Sequence, residues 1–142
     1  MFILEPVASA ELDLVRSLYS AWERGDYRGT DWAHPEIEIV FVDGPSPGSV
    51  TGLGGMTEGW RDFVSAWDEY RQEADEYREL DDHRVLVLSR FSGRGKRSGA
   101  ELGQKGAVLF QFHDGKVTRI VRYWDREGAL ADLGFTSGSP DS

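Results

Sequence analysis

Apolar residues recur at helical spacing near the start of the chain, where Leu12, Val15, Leu18, Tyr19 and Trp22 fall on one stripe. Ser9 suits the N-cap of that helix, Glu11 and Asp13 suit its first turn, and Gly25 suits its end. Residues 1–8 read as a loose lead-in. Residues 26–33 read as a short second helix or a turn before His34-Pro35. Residues 36–43 then alternate as a strand, with Ile37, Ile39, Phe41 and Asp43 on one face. Residues 44–48, with two prolines and two glycines, read as a loop. Met56, Trp60, Phe63, Val64 and Trp67 form the apolar stripe of a second long helix that runs to about Arg71.

The second half of the chain changes period. Residues 74–80 are an acidic strand candidate, and residues 85–92, 102–112 and 117–124 are stronger ones. Residues 93–99 are a glycine-rich hairpin connection. Asp114-Gly115 is the tight-turn signal between the last two strands. Asp125 can cap a closing helix over residues 128–133, Gly134 can end it, and residues 136–142 read as a flexible tail. Helices followed by a run of hairpins predict an α+β fold. The expected arrangement is a cone-shaped, curved antiparallel sheet with helices on its concave face. The open end of such a cone makes a cavity.

A length of 142 residues predicts one domain, here residues 9–135. The five Trp among 12% aromatic residues suit a lined cavity as well as a core. The net charge of −9 disfavours nucleic acid and anionic membranes as partners. The sequence contains no cysteine, so thiol chemistry is excluded. The first six residues lack the basic region of a signal peptide, and no apolar run is long enough to span a membrane. A soluble cytoplasmic protein is expected.

The segment Leu18-Tyr19-Ser20-Ala21-Trp22-Glu23-Arg24-Gly25-Asp26, the segment Tyr123-Trp124-Asp125-Arg126-Glu127-Gly128-Ala129-Leu130 and the Gly52-Leu53-Gly54-Gly55 entry to the second helix carry a family likeness. With this element order they resemble the SnoaL-like branch of the nuclear-transport-factor-2-like superfamily, over about residues 9–135. The resemblance implies a cystatin-like α+β barrel. It implies no single activity, because the superfamily hosts isomerases, cyclases, dehydratases, epoxide hydrolases and non-enzymatic binders.

Asp43 is the candidate catalytic residue. A carboxylate among apolar walls is tuned toward proton abstraction beside a carbonyl. Its place also resembles that of the ketosteroid isomerase base: the aspartate ends the first strand, a Pro/Gly loop follows, and Gly52 precedes the long helix. The alternative is an Asx turn at Asp43-Gly44-Pro45. That resemblance stops at the oxyanion donors. Leu18 falls where the isomerases carry a tyrosine and Ala107 where they carry an aspartic acid, so ketosteroid isomerase activity is not expected. Asp125 resembles the acid/base of SnoaL-type cyclases, but its place before the last helix favours a helix cap. Arg122 and Trp124 alternate with Ile120 on the last strand. They face either the pocket or an outer dimer surface. An inward Arg122 suits an anionic or carbonyl group, or a pair with Asp43. Tyr19, Trp22, Phe41, Trp60, Phe63, Trp67, Arg122 and Trp124 are the candidate ligand-binding set, and the aromatic residues among them also suit a core.

Other chemistry lacks its motifs. His34, His83 and His113 have no metal-ligand spacing, so neither a metal nor a cofactor is implied. Residues 93–98 do not form a P-loop, and no Gly-x-Ser-x-Gly elbow occurs. Strand 102–112 has no aspartate pair of the epoxide-hydrolase kind, and the central strands lack the dehydratase histidines. Arg90, Arg94, Lys96, Arg97 and Lys105 make a basic hairpin, suited to an anionic partner or simply to solvent. Three functions fit: cofactor-free isomerase- or cyclase-like proton transfer on an apolar carbonyl compound, non-catalytic binding of a small hydrophobic molecule, or a dimerisation module with a filled cone. The Val and Leu of residues 85–88 and 102–112 predict a homodimer through the convex sheet face.

Overall fold

The computed structural model describes residues 10–24, 26, 29–43, 47–65, 67–81 and 83–134, without the side chains of Phe63 and Leu102. The expected cap at Ser9, the stop at Gly25, the lead-in, the tail and residues 44–46 of the 44–48 loop lie outside these residues. The order is α1 (Ala10–Glu23), β1 (Ala33–Phe41), β2 (Gly48–Thr51), α2 (Gly52–Ser65), β3 (Trp67–Asp81), β4 (Arg84–Gly95), β5 (Glu101–His113), β6 (Lys116–Tyr123) and α3 (Arg126–Asp132). The fold is α+β, as the order of patterns predicts. The six strands form one sheet in the order β2-β1-β6-β5-β4-β3. Four neighbouring pairs are antiparallel, but β1 runs parallel to β6, so the sheet is mixed.

The Asp-Gly turn forms as expected. Asp114 and Gly115 take φ of 52° and 77°, the left-handed pair of a two-residue hairpin, and His113 faces Lys116. Two expectations need correction. The second helix ends at Ser65, and Trp67 opens β3 instead of closing α2's stripe. The extra strand length is possible because β4 carries glycines there. A Cβ on Gly93 would stand 3.2 Å from the Tyr70 Cα, so β3 can approach closely. β1 begins at Ala33 and takes in His34-Pro35, where a turn or helix end is expected. Its register on β6 shifts between Ala33 and Glu38, the stretch in which Pro35 withdraws a donor. The short β2, which pairs Val50 with Ile39, has no counterpart among the expected elements.

Strand alternation sorts the sheet into two apolar faces. Val85, Val87, Phe91, Val108 and Phe110 pack inward with Val15, Leu18 and Tyr19 of α1. Leu86, Leu88, Leu109 and Val121 pack on the other face with Ala129, Leu130 and Leu133 from α3 and the residue after it. Those outer residues are thus already buried within the single chain. The cover that the pattern seeks in a second copy is supplied in part by α3. Among the described residues Val42 is the one large hydrophobic that is exposed, at 43%.

Arg126 fastens α3 to the sheet. Its Nε donates to the Gly106 carbonyl at 3.1 Å, and its Nη2 donates to the Ser89 carbonyl at 2.8 Å and to Asp75 at 2.9 Å. Among the described residues no helix is long and apolar enough to cross a membrane.

Candidate functional site

The cone holds two adjoining cavities. The inner one, of about 90 Å³, lies between Trp22 at the end of α1, Trp32 before β1, Phe41 of β1, Met56 and Trp60 of α2, and Arg122 of β6. The outer one, of about 280 Å³, is bordered by Asp43, Asp62, Phe91, Arg122 and Trp124. Phe41, Val50 and Arg122 border both.

Arg122 reaches this place by alternation on β6. Val121 and Tyr123 point to the outer core, while Ile120 and Arg122 point into the cone. Arg122 is only 8% exposed. Its guanidinium carbon lies over the Trp60 ring, 5.1 Å from the centroid, and over the Phe91 ring, 5.4 Å from the centroid, so two aromatic quadrupoles attract the charge. Its Nη2 donates to Oε1 of Gln72, a fully buried residue of β3. No carboxylate stands within ion-pair distance of it among the described residues, so the alternative of a pair with Asp43 is not the one formed. The Nε2 of Gln72 is buried and has no hydrogen-bond partner among the described residues.

Asp43 sits two residues beyond β1 and lines the outer cavity. Its Oδ1 accepts the Trp124 N–H at 2.6 Å and its Oδ2 accepts the Asp125 N–H at 3.2 Å. The carboxylate therefore ties the end of β1 to the end of β6. Trp124 is held on three sides: its ring stacks on Phe91 at 5.4 Å and 12°, its N–H meets Asp43, and its carbonyl accepts from Gln104 Nε2 at 2.7 Å. Asp125 is the N-cap of α3, accepting the Gly128 N–H at 3.2 Å.

Of the expected ligand-binding set, Trp22, Phe41, Trp60 and Arg122 come together around the inner cavity, and Phe41, Arg122 and Trp124 around the outer one, beside Asp43. Tyr19 lines neither. It is fully buried in the core, its hydroxyl 2.8 Å from Ser89 Oγ and its ring edge-on to Tyr77 and Phe110. Burial pushes its phenol above the ordinary range, against the opposing effects of the Arg122 charge and the Ser89 hydrogen bond. Trp67 is also apart, beside the β4–β5 hairpin with Lys96 and Arg97. The Phe63 side chain lies outside the described residues. Trp32 and Gln72 complete the site and escape the sequence reading. Trp32 lies in the 26–33 stretch read as turn or helix, and Gln72 lies in the stretch between the expected second helix and the first acidic strand. The basic hairpin is partly neutralised locally, Arg90 by Asp75 at 2.7 Å and Arg94 by Glu101 at 3.4 Å.

A cone with aromatic walls and a buried arginine on its last strand has a known parallel. The model of the SnoaL-like domain matches residues 15–120. The chain belongs to the SnoaL-like family. Among curated protein sequences, none matches it. Solved structures similar to this SnoaL-like domain include an NTF2-like protein of unknown function from Burkholderia pseudomallei K96243. That protein is 22% identical, with a TM-score of 0.75, and the match covers 87% of this chain and 97% of that one. TerC, co-crystallised with polyporic acid, is 22% identical at a TM-score of 0.70, covering 88% of this chain and 98% of TerC. A candidate SnoaL-like polyketide cyclase from Jannaschia sp. CCS1 is 17% identical at a TM-score of 0.71, covering 99% of this chain and 100% of that one. At these identities the likeness is one of fold.

Proposed function

We propose that this SnoaL-like domain binds a small, flat, largely apolar compound and holds one of its oxygens with Arg122. The observation that carries this reading is the guanidinium itself. It is a buried cation over two aromatic rings, on the border of two cavities, with no carboxylate beside it among the described residues. A buried charge without a counter-charge is costly, and a ligand oxygen offsets that cost. Trp22, Trp32, Phe41 and Trp60 offer ring faces and edges suited to a planar molecule. The inner cavity alone is small for a multi-ring compound, since ligand pockets span about 300–1,000 Å³. A ligand reaching past Arg122 into the outer cavity fits better. TerC's co-crystallisation with polyporic acid supports a cone of this kind accepting a small organic molecule.

A thermal-shift screen of planar aromatic ketones, quinones and naphthols tests the proposal. Stabilisation of about 2.7 kcal/mol is expected at a ligand concentration a hundredfold above Kd. Thr57→Phe, an exposed position of α2 that borders the inner cavity, fills the space and should abolish the response. No stabilisation by any compound, or an equal response in Thr57→Phe, counts against the pocket.

Asp43 extends the reading to catalysis, because its carboxylate borders the same outer cavity as Arg122. With a carbonyl oxygen on Arg122, a base on that wall suits abstraction of an α-proton, as an isomerase or a polyketide cyclase requires. Exchange of α-protons for deuterium in a bound ketone, followed by NMR, checks this without knowledge of the natural substrate. Exchange at the free-solution rate in the bound state removes the catalytic role.

A further inference from the structure

We infer that the ligand binds as an anion, a phenolate, enolate or carboxylate whose charge stands where Arg122 lacks a carboxylate. The inference rests on the pocket reading and narrows it. Six other arginines of this chain, Arg78, Arg84, Arg90, Arg94, Arg119 and Arg126, each meet a carboxylate, and all are more exposed. The sequence holds 25 acidic residues against 16 basic ones, yet none of the described acids pairs with its buried arginine.

The residue that does meet Arg122 is Gln72, an uncharged isostere of glutamate. Its Oε1 accepts one N–H, and its Nε2 remains a buried donor with no acceptor among the described residues. Donors therefore outnumber acceptors at this spot, and the amide leaves the cationic charge unbalanced. The other titratable groups around the site do not balance it. Tyr19 from α1 is a buried phenol bonded to Ser89. Tyr70 from β3 packs edge-on against Trp60 at 5.8 Å. Asp43, beyond β1, spends its oxygens on two main-chain N–H groups, and Asp62 of α2 is exposed at the outer cavity.

Two opposed effects make the inference testable. An apolar cavity alone disfavours ionisation of a phenol, whereas a nearby cation favours it. The absorbance titration of 7-hydroxycoumarin, free and saturated with protein, reads the sign directly, with coumarin as its neutral isostere. The wild type should raise the phenolate-to-phenol ratio at a given pH by about 10-fold or more. Gln72→Glu places a carboxylate on the same guanidinium with almost no change of shape. There the ratio should return to that of the free dye or fall below it. A dye that binds the wild type with an unchanged or lowered ratio overturns the inference and leaves the pocket reading standing. Equal ratios in wild type and Gln72→Glu overturn it too. If neither coumarin binds, the anion inference fails, and a negative compound screen beside it removes the pocket reading as well.

Discussion

Asp43→Asn separates the two jobs that this carboxylate can hold. In the wild type each of its oxygens accepts a main-chain N–H, from Trp124 at 2.6 Å and from Asp125 at 3.2 Å. Asparagine offers one carbonyl oxygen, so one N–H loses its acceptor and faces an amide NH₂ instead. Hydrogen bonds to a charged group contribute about 1.5–3 kcal/mol each. Asp43 is half-buried and one of its bonds is long, which places the net loss at about 1–3 kcal/mol. For a domain of this size that lowers Tm by roughly 3–10 °C. Circular dichroism melts at pH 7 measure the loss, and tryptophan fluorescence reports on the neighbouring Trp124. A variant that melts within 1 °C of the wild type refutes the anchoring role. A variant that keeps its stability and loses α-proton exchange assigns Asp43 to chemistry alone.

Gly106→Ala should be severely destabilising, by about 1–3 kcal/mol or more, because the new Cβ would lie 2.3 Å from the Tyr123 carbonyl oxygen and 2.5 Å from Phe91 Cε2. Urea denaturation measures this, and wild-type stability would show that the packing between β5 and β6 is looser than these distances imply. Asp75 predicts an acid limb. Burial opposes its charge, but the hydrogen bonds from Arg126 and Arg90 outweigh burial and hold the carboxyl below the usual range. Its stabilising contribution is present above about pH 4, the ordinary carboxyl value, and is lost as pH falls through the lower folded value. Asp75→Asn should therefore be less stable at pH 7 and lose stability less steeply in acid, as melts from pH 7 to pH 2 will show. At the alkaline end, burial and the Asp132 hydrogen bond push the Tyr123 phenol up to about 12. That contribution is full below about pH 10 and is lost as pH rises toward 12, and Tyr123→Phe should flatten the limb in the same melts.

The sheet is legible in the sequence wherever alternation and turn chemistry act locally. Ile37, Ile39 and Phe41 declare one face, and Asp114-Gly115 declares the last hairpin, because each signal is set by neighbours in the chain. The boundary between α2 and β3 is not legible. Trp67 continues a helical stripe by spacing alone, and its strand state depends on Gly93 and Gly95 of a distant strand. The same division runs through the site. Counting along β6 puts Arg122 on one face with Ile120 and Trp124, but it does not tell which face lines the cone. Gln72 cannot be found that way, since nothing in its own segment marks it as buried or as the partner of an arginine fifty residues later. Asp43 shows the reverse case. Its position is legible, but the main-chain donors that occupy its oxygens follow β6, which neighbours β1 in the sheet and lies far from it along the chain.

A crystal structure with a planar, oxygen-bearing compound taken from the screen decides whether Arg122 holds a ligand oxygen. The ring system should lie against Trp22, Phe41 and Trp60, with an oxygen on the Arg122 guanidinium and the remainder extending toward Trp124. A ligand bound outside the cone, or seated in it with its oxygens turned away from Arg122, would refute the proposed role of Arg122.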